Sequence, residues 1–210
     1  MTKDKLNEEL DIYMKRIINA LDYFKLYKNM LIMSNKNLDN ANKIASFIDI
    51  VTSSLSITAI NETYLLVDKR NDKNIFKFIE VCKQNQQLFR HELTEDYVYC
   101  DTNEHTSYVV EKVNIKNEFK KIDQKLLKYS NQIENLKSNR DKVLAHVDKK
   151  YFYDRNLISK DYSVKYQNID DILELLYAII NRLSVLLTGT IYGYSNEQIT
   201  DFKAILDCIQ

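Results

Sequence analysis

The chain has 210 residues, among them two glycines, no proline and no tryptophan. β-Sandwiches and barrels draw their many tight turns from Gly, Pro and Asn-Gly steps, so this composition excludes both. It also excludes folds that cradle phosphate on a glycine-rich loop, since Gly189 and Gly193 stand alone. Thirty Lys and Arg balance thirty Asp and Glu, so any polyanion site must be local, and an apolar content of 45% is enough for the core of one all-α domain spanning 1–210.

Cys82, Cys100 and Cys208 are odd in number and form no CxxC pair, which points to a reducing cytosol rather than a disulfide framework. Met1 to Asn7 is charged and lacks the apolar core of a signal peptide. The most apolar window, Ile172 to Tyr194, is interrupted by Glu174, Asn181 and Arg182. A charge at mid-bilayer costs about 2.5–3.5 kcal/mol on insertion scales. The window therefore reads as a buried helix, and a cytoplasmic protein without membrane contact is expected.

The first predicted helix runs from about Lys3 to Met33, with Leu6, Leu10, Tyr13, Ile17, Leu21 and Phe24 on one face, and Ser34 to Asn37 breaks it. A second long helix is predicted from Leu38 to Asp68; its apolar residues fall on more than one face, as in a central helix surrounded by others. After a polar turn, Lys69 to Asn74, a shorter helix resumes over Ile75 to Leu88. Arg90 to Glu111 sets six carboxylates against one arginine and reads as an irregular acidic loop.

The next helix is the informative one. Ile115, Phe119, Ile122, Leu126, Tyr129, Ile133, Leu136, Arg140, Val143 and Val147 alternate steps of four and three, the seam of a helix packed along its length. Every seam position is apolar or aromatic except Arg140. A guanidinium there snorkels, pairs with a carboxylate, or faces a cleft or a second subunit. His146 lies six residues on, roughly 9 Å along the axis and about 120° round the wheel, within reach of a long Arg arm.

Past Tyr166, Asn168 is placed as the cap of an apolar helix. Asp170 and Asp171 fall in its first turn, and Leu173, Leu176, Ile180, Leu183 and Leu187 form its inner stripe. Gly189 and Gly193 end it, and Ser195 with Gln198 makes a capping-box pattern for a last helix to about Cys208.

The string Asn139-Arg140-Asp141-Lys142-Val143-Leu144-Ala145-His146-Val147-Asp148-Lys149 resembles the signature of the HEPN superfamily, in which an Arg followed by a polar residue precedes a His by four to six residues. Here Asp141 follows the Arg and five residues intervene. Ala before the His and Asp two after it look like the abortive-infection U-type branch. Leu65-Leu66-Val67-Asp68-Lys69 with Asn74-Ile75 is similar to that branch too, and the likeness covers roughly residues 40 to 188.

The resemblance implies an all-α bundle of about five to six helices that dimerises, bringing two motif copies to one cleft. It implies a metal-independent endoribonuclease, needing no cofactor, with Arg140 and His146 catalytic. A neutral imidazole moves protons at the ribose 2′-hydroxyl or the leaving 5′-oxygen, and a guanidinium clamps the phosphoryl oxygens. Asp141 and Asp148 are supporting polar residues; Asp148 either orients His146 or binds a Lys or Arg. Some HEPN toxins carry a Tyr at the Asp148 position, which an antitoxin modifies, so that form of regulation is not expected. The implied setting is phage defence or a toxin–antitoxin system, with RNA, a second copy and an antitoxin or defence protein as partners. The alternative reading is a non-catalytic module that binds RNA or a protein through the same cleft.

Between Leu136 and Arg155 six bases face three acids, and Tyr151, Phe152 and Tyr153 lie among them. Lys142, Lys149, Lys150, Tyr151 and Arg155 are therefore candidate RNA contacts, the aromatics either stacking on unpaired bases or packing the connection onto the bundle. Cys82, His91, Cys100 and His105 match no familiar zinc spacing, so no metal site is assigned.

Overall fold

The computed structural model describes residues 1–98, 105–140, 166–194 and 198–208. Helix α1, Lys3–Lys36, starts where the Thr2 hydroxyl accepts the Lys5 N–H at 3.3 Å, with Asp4 in the positive first turn and Lys36 in the last. Its face from Leu6 through Leu10, Met14, Ile17 and Phe24 is fully buried.

The predicted helix from Leu38 to Asp68 is instead two helices, α2, Leu38–Lys43, and α3, Ala45–Val67, broken at Ile44. No side-chain cap marks the break. Nor is α3 surrounded. It packs along α1, while Phe47, Ile50 and Ile57 on its other side stay exposed. Among the described residues it is the one helix long and apolar enough to cross a membrane by length and composition, with mean hydropathy 1.2.

Helix α4, Ile75–Gln84, is capped by Asn74, whose side-chain oxygen accepts the Lys77 N–H at 3.0 Å. It is shorter than predicted, because a 3₁₀ turn at Gln86–Leu88 leads the chain away.

The segment read as an irregular acidic loop is an antiparallel hairpin, β1, Glu92–Val98, and β2, His105–Lys112, pairing Glu92 with Lys112 and Val98 with His105, and irregular in register between Leu93 and Thr94. Carboxylates hid it, because the consecutive Glu95 and Asp96 break the apolar/polar alternation by which a half-buried strand is read. The β-branched and aromatic steps Tyr97-Val98 and Tyr108-Val109-Val110 carried the opposite signal. The foot of the hairpin is fastened by the Val113 N–H to the His91 carbonyl at 2.7 Å, and by the Arg90 N–H to Leu186 at 2.7 Å.

Among the described residues the seam helix is also interrupted, at Tyr129. Helix α5, Ile115–Lys128, and helix α6, Ser130–Asn139, meet at Tyr129, which leaves helical geometry with φ −97° and ψ 6°. The seam keeps its phase across that residue, since Ile115, Phe119, Ile122, Leu126 and Leu136 are all buried.

Helix α7, Tyr166–Leu187, begins before Asn168, so Asn168 lies inside its first turn rather than capping it. The stripe Leu173, Leu176, Ile180, Leu183 and Leu187 is fully buried, confirming a core helix. With the helix starting at Tyr166, Asp170 and Asp171 fall past its first turn rather than in it, and Asp170 has a tertiary partner instead, Lys28 on α1 at 2.6 Å. After Gly189, at φ +87°, residues 191–194 cross back over α1: Tyr192 donates to Asp11, and Tyr194 to Asp22 at 2.8 Å. Helix α8, Gln198–Asp207, seats Phe202 and Leu206 in a small second cluster with Met30, Ala41 and Ile48.

The candidate site at Arg140

Arg140 follows the last residue of α6 and keeps helical dihedrals, φ −59° and ψ −49°. The seam that buries Leu136 completely therefore delivers Arg140 half-buried at its end. There its guanidinium carbon lies 4.8 Å from the centre of the Tyr64 ring on α3. This is cation–π distance, and the planar guanidinium suits an aromatic face. This ring contact adds packing against an aromatic side chain of another helix to the roles open to a charged seam residue.

Tyr64 is 2% exposed and is held from its far end. Its hydroxyl donates to Asp68 at 2.8 Å, one helical turn on, and accepts a hydrogen bond from Arg70. The Arg70 backbone and side chain also donate to Asp68, each at 3.1 Å. Burial pushes the Asp68 carboxyl up, but the Arg70 and Tyr64 hydrogen bonds outweigh it and hold the group below its ordinary range. The same contacts hold the Arg70 guanidinium above its ordinary value.

Beside this group lies a cavity of about 140 Å³, walled by Tyr64, Val67, Phe76 and Ile133, with Lys69 and Lys137 also lining it. Lys69 lies over the Phe76 ring at 5.0 Å, and Lys137 pairs with Glu134 at 3.2 Å. A wider cavity of about 610 Å³ opens at the foot of the hairpin, lined by His91, Lys112 and Ile115 among others, and shares no lining residue with the first.

A family model described as AbiU2, of the HEPN group, matches residues 3–205. The chain belongs to the HEPN family of AbiU2 type. No curated protein and no solved structure matches. The match takes in α1 and α8, and so reaches beyond the 40–188 stretch that the motif strings covered.

Within this HEPN domain, Arg140 is the one predicted site residue that is described. His146, Asp141, Asp148, Lys142, Lys149, Lys150, Tyr151 and Arg155 lie outside the described residues. Cys82 is fully buried, and burial, with the Glu9 carboxylate adding to it, pushes its thiol up to about 12. Among the described residues no group of three or more His, Cys, Asp or Glu gathers in a way that would hold a metal ion. Sequence reasoning missed Tyr64. The available signal was the Tyr64–Asp68 spacing of four, which stacks two side chains on one helical face.

Proposed function

We propose that this HEPN-family protein is a metal-independent endoribonuclease of a phage-defence or toxin–antitoxin system, acting as a homodimer in the cytoplasm with Arg140 and His146 in its active site. The observation that carries the reading is the placement of Arg140. A charged residue that opens the motif string stands half-buried on an otherwise apolar seam, with its guanidinium over a buried ring.

In this mechanism the nucleophile is the substrate's own 2′-hydroxyl, already next to the scissile phosphate, so the reaction is intramolecular. One His146 takes the 2′-hydroxyl proton as the O2′–P bond forms. The His146 of the second copy gives a proton to the departing 5′-oxygen as the P–O5′ bond breaks. Arg140 neutralises charge growing on the phosphoryl oxygens. The products are a 2′,3′-cyclic phosphate and a 5′-hydroxyl. No step asks for a metal-generated hydroxide.

The test is cleavage of RNA in EDTA by the wild type and by His146→Ala, alongside an oligonucleotide carrying one 2′-deoxy residue. The wild type should cut, the blocked position should resist, and His146→Ala should be inactive yet within about 1 kcal/mol of wild-type stability. Cutting at the blocked position, or a requirement for added Mg²⁺, overturns the mechanism. RNA binding without cleavage assigns the chain to the non-catalytic reading instead.

A further inference from the structure

We propose that Tyr64 is a positioning residue for Arg140, and that residues 64–70 form a clamp that sets the pose of the guanidinium meeting the scissile phosphate. The proposal rests on the ribonuclease reading for the scissile phosphate, but its geometry stands on the described residues alone.

An arginine side chain has many rotamers, and catalysis by a charged group needs it fixed before charge develops. A ring under a guanidinium restrains it through cation–π attraction, in addition to whatever its N–H donors do. The restraint is only as good as the ring. Tyr64 is almost wholly buried, so its ring cannot swing into solvent. Its hydroxyl is tied in both directions, donating to Asp68 at 2.8 Å and accepting from Arg70, and Arg70 closes the triangle by donating to Asp68 at 3.1 Å.

A core tyrosine needs one hydrogen-bond partner to offset burial of its hydroxyl. Here Asp68 and Arg70 both bond it, and they come from the turn after α3, so the chain between Val67 and Ile75 is fastened to the ring that carries Arg140. The arrangement joins two separate elements, the end of α3 and the end of α6, at the residue that opens the motif.

The experiment is a mutant cycle on single-turnover RNA cleavage, with Tyr64→Leu, Tyr64→Phe, Asp68→Asn and Arg140→Ala singly and combined. Tyr64→Leu should lower the cleavage step on the order of 10–100-fold with little change in KM. Tyr64→Phe, which keeps the ring and the core volume, should lose less. Neither should cost anything further in the Arg140→Ala background, because the ring acts only through that guanidinium. Losses that multiply in that background, or a wild-type rate for Tyr64→Leu, overturn the proposal.

If Tyr64→Leu fails to fold, Tyr64→Phe and Asp68→Asn carry the same cycle. A second readout needs no activity. The Arg140 side-chain resonances should show an upfield ring-current shift that persists in Tyr64→Phe and disappears in Tyr64→Leu or, where that does not fold, in Tyr64→Val. A wild type that does not cut RNA overturns the ribonuclease reading, and the resonances then decide the positioning alone: a shifted Arg140 upholds it and an unshifted one overturns it.

Discussion

Arg182 on α7 donates its Nε to Glu118 on α5 at 2.8 Å. The same guanidinium reaches Glu111 on the hairpin at 3.0 Å, while Lys121 meets Glu118 from the other side at 2.6 Å. One arginine thus ties the core helix, the seam helix and the hairpin together.

Arg182→Ala leaves the buried Glu118 with Lys121 alone and frees the second strand. It should destabilise the protein by about 1.5–3 kcal/mol, the range for a hydrogen bond to a charged group. Urea denaturation measures this, and hydrogen exchange should show faster opening of the hairpin than of α1. An unchanged midpoint would mean that the network is solvated decoration.

Acid should expose the same pair. Burial raises the Glu118 carboxyl, but the hydrogen bonds from Lys121 and Arg182 outweigh it, and the group sits below its ordinary range, as Asp68 does. A carboxyl depressed in the folded state stabilises the fold fully above its unfolded value, about 4. That contribution is lost as pH falls through the depressed value. Thermal stability should therefore be flat with respect to these groups from about pH 5 to 7 and fall below about 4. Glu118→Gln should make the acid decline shallower; the same slope as wild type would sink the assignment.

Gly189 is the one described position where the backbone asks for glycine, at φ +87°. A β-carbon there would come 3.0 Å from Nη1 of Arg90, a flexible side chain whose guanidinium, donating to the Thr188 carbonyl at 2.8 Å, must shift by a few tenths of an ångström. The cost of Gly189→Ala is then mostly the left-handed backbone, about 1–2 kcal/mol. Equilibrium unfolding checks it, and a neutral or stabilising result would mean that the turn relaxes.

The proposed site draws its acid and its base from two copies of His146, so the active species must be an isologous dimer. Light scattering at micromolar concentration should give twice the chain mass, and specific activity should fall on dilution. A strict monomer with full activity would exclude a shared site.

Periodicity was legible wherever packing is one-sided and continuous. The α7 stripe and the seam from Ile115 to Leu136 were readable because each buries a fixed set of steps. The breaks at Ile44 and Tyr129 were not, since neither carries a proline, a glycine or a capping side chain. The hairpin was concealed by acids on strands that need not bury both faces. Arg140 stood out as a charge on an apolar seam, whereas Tyr64 did not, because an aromatic residue in an apolar helix looks like ordinary core. Its role depends on Asp68 and Arg70 beyond the helix end and on α6 arriving from elsewhere in the chain.

The packing of α1 against α7 also has a meaning in time. The buried face of α1, from Leu6 to Phe24, is shared between α3, made soon after it, and a helix that begins only at Tyr166. At synthesis rates of about 5–20 residues per second, the α1–α3 pair waits on the order of ten seconds for that second cover. The motif string is made during that wait, ahead of the helix that completes the core. A chain whose synthesis stops before Tyr166 therefore carries the Arg140–His146 string without the helix that completes this core.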